Sequence, residues 1–145
     1  MIKKISIPIL FGMLLLASSA KAEVIFLICK WDNGRIEGVK TLTKGEPGTR
    51  DVDIKLDLNK KKVINGALTS IPDEIENASF TDSYINWTEK SFFDINLGKR
   101  VGKLQFRSRL DLNRSSGLLR EVFYDYLNNV QITSYYYCTR ENKKF

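Results

Sequence analysis

Histidine is absent from this chain of 145 residues, and cysteine occurs only at Cys29 and Cys138. Without imidazole there can be no Ser-His-Asp triad, no Cys-His pair and no histidine-ligated metal site. If both cysteines are oxidised, no thiolate remains as nucleophile or zinc ligand, and catalysis would have to rest on carboxylates, lysine or tyrosine. Long apolar runs are also missing. After residue 22 nothing approaches the roughly 18 apolar residues of a membrane-spanning helix. No internal repeat, low-complexity run or linker divides the sequence, and proline occurs only three times.

What is present at the start reads as a secretory signal. Residues 1–22 combine a basic opening (Lys3, Lys4), an apolar run from Ile5 to Ala17 and an A-x-A cleavage site at Ala20-Lys21-Ala22. The expected organisation is therefore a signal peptide, 1–22, and a single β-domain, 23–145, without a transmembrane segment after cleavage, in the periplasm or secreted. Of the formal net charge of +6, half comes from Lys3, Lys4 and Lys21, so the remaining excess does not point to a nucleic-acid partner. In an exported chain, two cysteines near the ends of one domain are expected to form a disulfide. Closing a loop of roughly 100 residues would contribute about 4–5 kcal/mol in the chain-entropy account.

The rest of the chain reads as short alternating segments between turn signals, an all-β pattern. Glu23–Trp31 is an expected strand ended by a turn at Asp32-Asn33-Gly34. In Asp51–Leu58, Val52, Ile54, Leu56 and Leu58 share a core face while Asp51, Asp53, Lys55 and Asp57 share a solvent face. Lys60–Lys62 suits a charged hairpin tip. Ser70–Ala78 is the one expected helical turn, with Ser70 and Asp73 as a capping pair. Ala78–Thr88 and Phe92–Leu97 form an expected hairpin through Glu89-Lys90-Ser91. Val101–Leu112, Leu118–Leu127 and Val130–Cys138 follow, joined at Asn113–Gly117 and Asn128-Asn129. Lys40–Arg50 is the candidate mobile loop. The expected fold is a single antiparallel meander of about seven or eight strands, a closed barrel or a sandwich, its first and last strands joined by the disulfide.

Candidate chemistry is sparse. Carboxylates at Asp51/Asp53/Asp57 and Asp73/Glu74/Glu76 have the spacing of any solvated surface, so no catalytic residue, metal site or cofactor is expected. Lys103, Arg107 and Arg109 fall on one face of Val101–Leu112 and form a cationic stripe suited to phosphate, an anionic envelope component or a protein. In a hairpin turning at Asn113–Gly117, Arg109 would fall near Glu121, and Arg107 near Glu121 or Asp125, which would neutralise the stripe. Strand alternation places Tyr136 with Ile132 and Cys138 and turns Tyr135 and Tyr137 outward, where exposed aromatics beside arginines favour an interface.

Ile85-Asn86-Trp87 and Asn113-Arg114-Ser115-Ser116-Gly117-Leu118, with an early and a late cysteine, give the chain a resemblance. It resembles small exported bacterial β-proteins of unknown function that share an I-x-W strand and an N-R-x-[ST]-G-x-L hairpin. In size, β content and disulfide it is also similar to exported lysozyme inhibitors, although a basic inhibitor suits cationic lysozymes poorly. The resulting expectation is a non-enzymatic binding module for an unknown protein or anionic envelope component, acting through Lys103, Arg107, Arg109, Tyr135 and Tyr137. The alternative is a small barrel carrying an apolar ligand, which would need an interior cavity of at least about 300 Å³.

Overall fold

A computed structural model describes residues 23–68 and 71–141; the expected signal segment, 1–22, lies outside them. Among the described residues there is no helix, and the chain is antiparallel β throughout. The strands are β1 (Val24–Ile36), β2 (Lys40–Thr41), β3 (Val52–Asp57), β4 (Lys62–Asn65), β5 (Glu74–Phe80), β6 (Tyr84–Ser91), β7 (Phe93–Asp94), β8 (Lys99–Arg100), β9 (Phe106–Asn113), β10 (Leu118–Asp125) and β11 (Val130–Glu141). The main sheet runs β4-β3-β1-β11-β10-β9-β6-β5, with β2 alongside β1 and β7-β8 as a separate ribbon.

This order is a meander bent into a nearly closed barrel. Each neighbour along the sheet is the next long strand in the chain, except that the first, β1, lies beside the last, β11. Pairing of β1 with β11 removes two edges, so that among the described residues the ends of this order are β4 and β5, which approach each other across a seam. Cys29 stands opposite Cys138 in the β1–β11 register, and the two form the disulfide that joins the first and last strands. Such a bond fits an oxidising compartment.

The inner face is set by strand alternation. Leu27, Cys29 and Trp31 of β1, Ile54 and Leu56 of β3, and Ile85 and Trp87 of β6 are buried with Leu110 and Leu112 of β9, Leu119 of β10 and Tyr136 of β11. The two predicted turns of the last sheet form as expected. Asn113 Oδ1 accepts the Ser115 and Ser116 N–H groups, and Gly117 takes φ 75°, where an L side chain is strained. Asn129 takes φ 54° in the β10–β11 turn.

Several elements differ from expectation for identifiable reasons. No turn interrupts β1 at Asp32-Asn33-Gly34: Asp32 is the extra residue of a bulge, and β1 continues to Ile36. The Trp31 N–H at this bulge donates to Asp51 Oδ1 at 2.8 Å. Gly34 then lies so near β11 that a Cβ would sit 2.7 Å from the Thr133 carbonyl oxygen. The described part of Ser70–Ala78 is not helical. β5 pairs with β6 from Glu74↔Lys90 to Phe80↔Ile85, satisfying backbone groups that a single helical turn would leave open. Nor does the chain turn at Glu89-Lys90-Ser91, because β6 runs straight through it and the hairpin closes at residues 81–83. Glu89 and Ser91 both point into the barrel, where Ser91 Oγ donates to the Pro72 carbonyl at 2.6 Å. The Asp57 carboxylate, expected in solvent, is 5% exposed and caps the β3–β4 turn by accepting the Lys60 N–H at 2.9 Å. Val52, Ile54 and Leu56 are core as expected, and Leu58 is half-buried.

Candidate functional site

The outer wall formed by β6, β9, β10 and β11 carries most of the expected partner-binding residues. Side chains opposite one another across an antiparallel pair share a face. The register therefore lines up Lys90, Arg107 and Tyr124 in one outward row, and Thr88, Arg109 and Val122 in the next. Asn86, Asp111, Arg120 and Tyr135 make a third, and Tyr84, Asn113, Leu118 and Tyr137 a fourth. At one side of the wall lies a groove of about 470 Å³ that includes Arg107, Arg109, Lys90, Thr88, Asn77 and Asp111. It opens at a bulge in β5, where Asn77 and Ala78 stand opposite Trp87 alone and Asn77 adopts φ 55°.

Charge in this groove is unbalanced. Lys90 is paired with Glu76, and Asp111 lies 3.8 Å from Arg120. Arg107 and Arg109 take part in no ion pair among the described residues. The expected neutralisation by Glu121 is overturned by a shift of one residue in register: Arg109 is opposite Val122, while Glu121 is opposite Leu110 and faces inward. A slip of one position moves a side chain to the other face of a sheet. Arg107 is opposite Tyr124, and the Asp125 oxygens are used within the turn by the Leu127 and Asn128 N–H groups. Lys103 is a second correction. β9 begins at Phe106, so Lys103 belongs to the irregular segment before it and is not in the arginine row. Tyr135 is half-buried and Tyr137 is 53% exposed; they share the wall with Arg107 and Arg109 but lie across β10 from them.

Inside the barrel are two buried carboxyl groups that the turn-based reading missed, although strict alternation from Trp87 and Leu119 points both inward. Glu89 accepts the Ala67 and Leu68 N–H groups at 2.8 and 2.9 Å and the Trp87 indole N–H at 2.7 Å. It thereby ties the segment after β4 to β6 at the open seam. Asp73 lies against it. Burial, then a hydrogen bond to Glu89 and its charge, raises the Asp73 carboxyl to about 7. Asp73 Oδ2 has no hydrogen-bond partner among the described residues. The reading of Asp73 as a solvated surface carboxylate is thus corrected.

Glu121 is 7% exposed and receives the Ser108 hydroxyl at 2.8 Å and the Tyr136 hydroxyl at 3.0 Å. Burial pushes its carboxyl upward, the two hydroxyls pull it back, and Glu89 pushes it up again. Burial and the neighbouring Glu121 also hold the Tyr136 phenol above its ordinary range. A pocket of about 610 Å³, open to solvent between the loops bearing Pro47 and Ile95, reaches Glu121 and Tyr136. Among the described residues no group of His, Cys, Asp and Glu has a metal-binding arrangement.

Compared with family models, with curated proteins and with solved structures, the chain matches none.

Proposed function

We propose that the protein is an exported, non-enzymatic binding module, periplasmic or secreted, whose outer wall holds an anionic group of a protein or envelope component. The observation that carries this reading is the pair Arg107 and Arg109, both outside any ion pair among the described residues, in a groove of about 470 Å³. Guanidinium groups present fixed, planar donors that suit phosphate or carboxylate, and their charge is not cancelled from the facing strands. Tyr135 and Tyr137, across β10 on the same outer wall, widen the contact. The disulfide and the leader-like residues 1–22 support export.

The test uses inorganic pyrophosphate as the probe, with backbone amide NMR shifts as the readout. Shifts should cluster at Thr88, Arg107 and Arg109 and disappear in Arg107→Glu/Arg109→Glu while the remaining spectrum persists. Native mass spectrometry of protein taken gently from its envelope fraction should then show a bound species that the same variant loses. Equal binding by the variant would reject the reading.

A further inference from the structure

The pocket that reaches Glu121 is lined differently from the outer groove. Its walls include Val52, Ala67, Phe123 and Ile132, and its polar side chains are Glu121, Ser134 and Tyr136 at the inner end and Arg50 on the loop before β3. An apolar chamber with a few converging polar groups is the usual form of a small-molecule site, and about 610 Å³ lies within the usual range. What distinguishes this chamber is the sign of its polar end. Glu121 receives one hydroxyl on each oxygen, from Ser108 and Tyr136, and no cation pairs with it among the described residues. A carboxylate has about four acceptor positions, so two donors leave capacity for another. Burying such a group without a compensating cation is costly unless something else supplies the donor.

We propose that the barrel binds a small amphiphilic amine, its hydrocarbon body against Phe123, Ile132 and Val52 and its amino group donating to Glu121. An anionic amphiphile is disfavoured, because its head would meet Glu121, with Glu89 nearby on the same wall across β9. Arg50 lies on the cavity lining too, but it already has an interaction of its own. The site is separate from the arginine groove, which belongs to the opposite face of the sheet: Arg109 points out where Leu110 and Glu121 point in.

Three probes of eight carbons each separate the contributions: 1-aminooctane, 1-octanol and octanoate. Each is titrated into the disulfide-bonded protein and followed by calorimetry and by tryptophan fluorescence, with Trp31 and Trp87 as reporters in the barrel. The amine should bind at least tenfold more tightly than octanoate. Glu121→Gln should weaken the amine about tenfold and leave octanol unchanged. Ile132→Trp, which fills the cavity wall without touching the carboxyl, should weaken both amine and alcohol, and it keeps the test decisive if Glu121→Gln does not fold. Octanoate binding as tightly as the amine would overturn the proposal. So would unchanged amine affinity in Glu121→Gln, or in Ile132→Trp. Arg107→Glu/Arg109→Glu should leave amine binding intact, so failure of the outer-wall reading and failure of this one are distinguishable.

Discussion

Gly66→Ala should unfold the seam of this barrel, although the substitution adds one methyl group to a loop. A Cβ at Gly66 would lie 2.1 Å from Glu89 Oε2, 2.3 Å from its Cδ and 2.6 Å from Oε1. The φ of Gly66 is outside the left-handed region, so the penalty comes from contact and not from the backbone. A flexible side chain would normally swing aside, but Glu89 is fully buried and held by three donors, the Ala67 and Leu68 amides and the Trp87 indole. Moving the carboxylate strands those donors, each at a cost of about 1–3 kcal/mol when buried and unpaired. The sum is roughly 3–9 kcal/mol, comparable with the 5–15 kcal/mol typical of a whole domain. Urea unfolding of the oxidised protein is the assay. The loss should be specific to the pair: in a Glu89→Ala background, Gly66→Ala should cost at least about 3 kcal/mol less than it does alone, a coupling that a double-mutant cycle resolves. A Gly66→Ala penalty below about 1 kcal/mol, or full additivity with Glu89→Ala, would refute the reasoning.

Other expectations concern pH, the disulfide and the last hairpin. Asp73 keeps its proton to about 7 in the folded chain, against 3.8 as the ordinary value. The folded state therefore binds more protons between those limits, and stability falls as pH rises through them. Screening at this half-exposed residue reduces the effect to about 1–2 kcal/mol. Asp73→Asn removes this titration, and urea midpoints between pH 4 and 7 should become flatter; an unchanged slope would count against a raised Asp73 carboxyl. Replacing Cys29 and Cys138 by serine opens a link across 109 positions and should cost about 4–5 kcal/mol in unfolding free energy. A loss under about 1 kcal/mol would refute the loop-closure account of this disulfide. Gly117→Ala should cost about 2–3 kcal/mol by thermal unfolding, because φ is 75° and the new Cβ would lie 2.6 Å from the Cys138 carbonyl oxygen. A Gly117→Asn variant, tolerant of that φ, should recover little, since the contact persists.

Alternation with a period of two carries the class, the faces of β3 and β11, and the inward direction of Tyr136 without any knowledge of neighbours. Turn chemistry at Asn113–Gly117 and Asn128-Asn129 is equally local, because an Asx side chain and a glycine satisfy their own backbone. Two cysteines in an exported-looking chain leave a single intramolecular pairing, so the link between the first and last strands also follows from sequence. Asp32-Asn33-Gly34 and Glu89-Lys90-Ser91 show where local chemistry loses. Both look like turns, and both are held extended by groups distant in the chain: Asp51 receives the Trp31 amide, and Ala67 and Leu68 donate to Glu89. Register across the β9–β10 hairpin was likewise undecided by composition, since a shift of one residue exchanges a neutralised Arg109 for an unpaired one and sends Glu121 into the barrel. Sequence determined which residues alternate; only closure of the sheet decided which face became the interior for each carboxylate. The physical reason is that a buried charge depends on donors brought from elsewhere in the fold, and no window of sequence contains them.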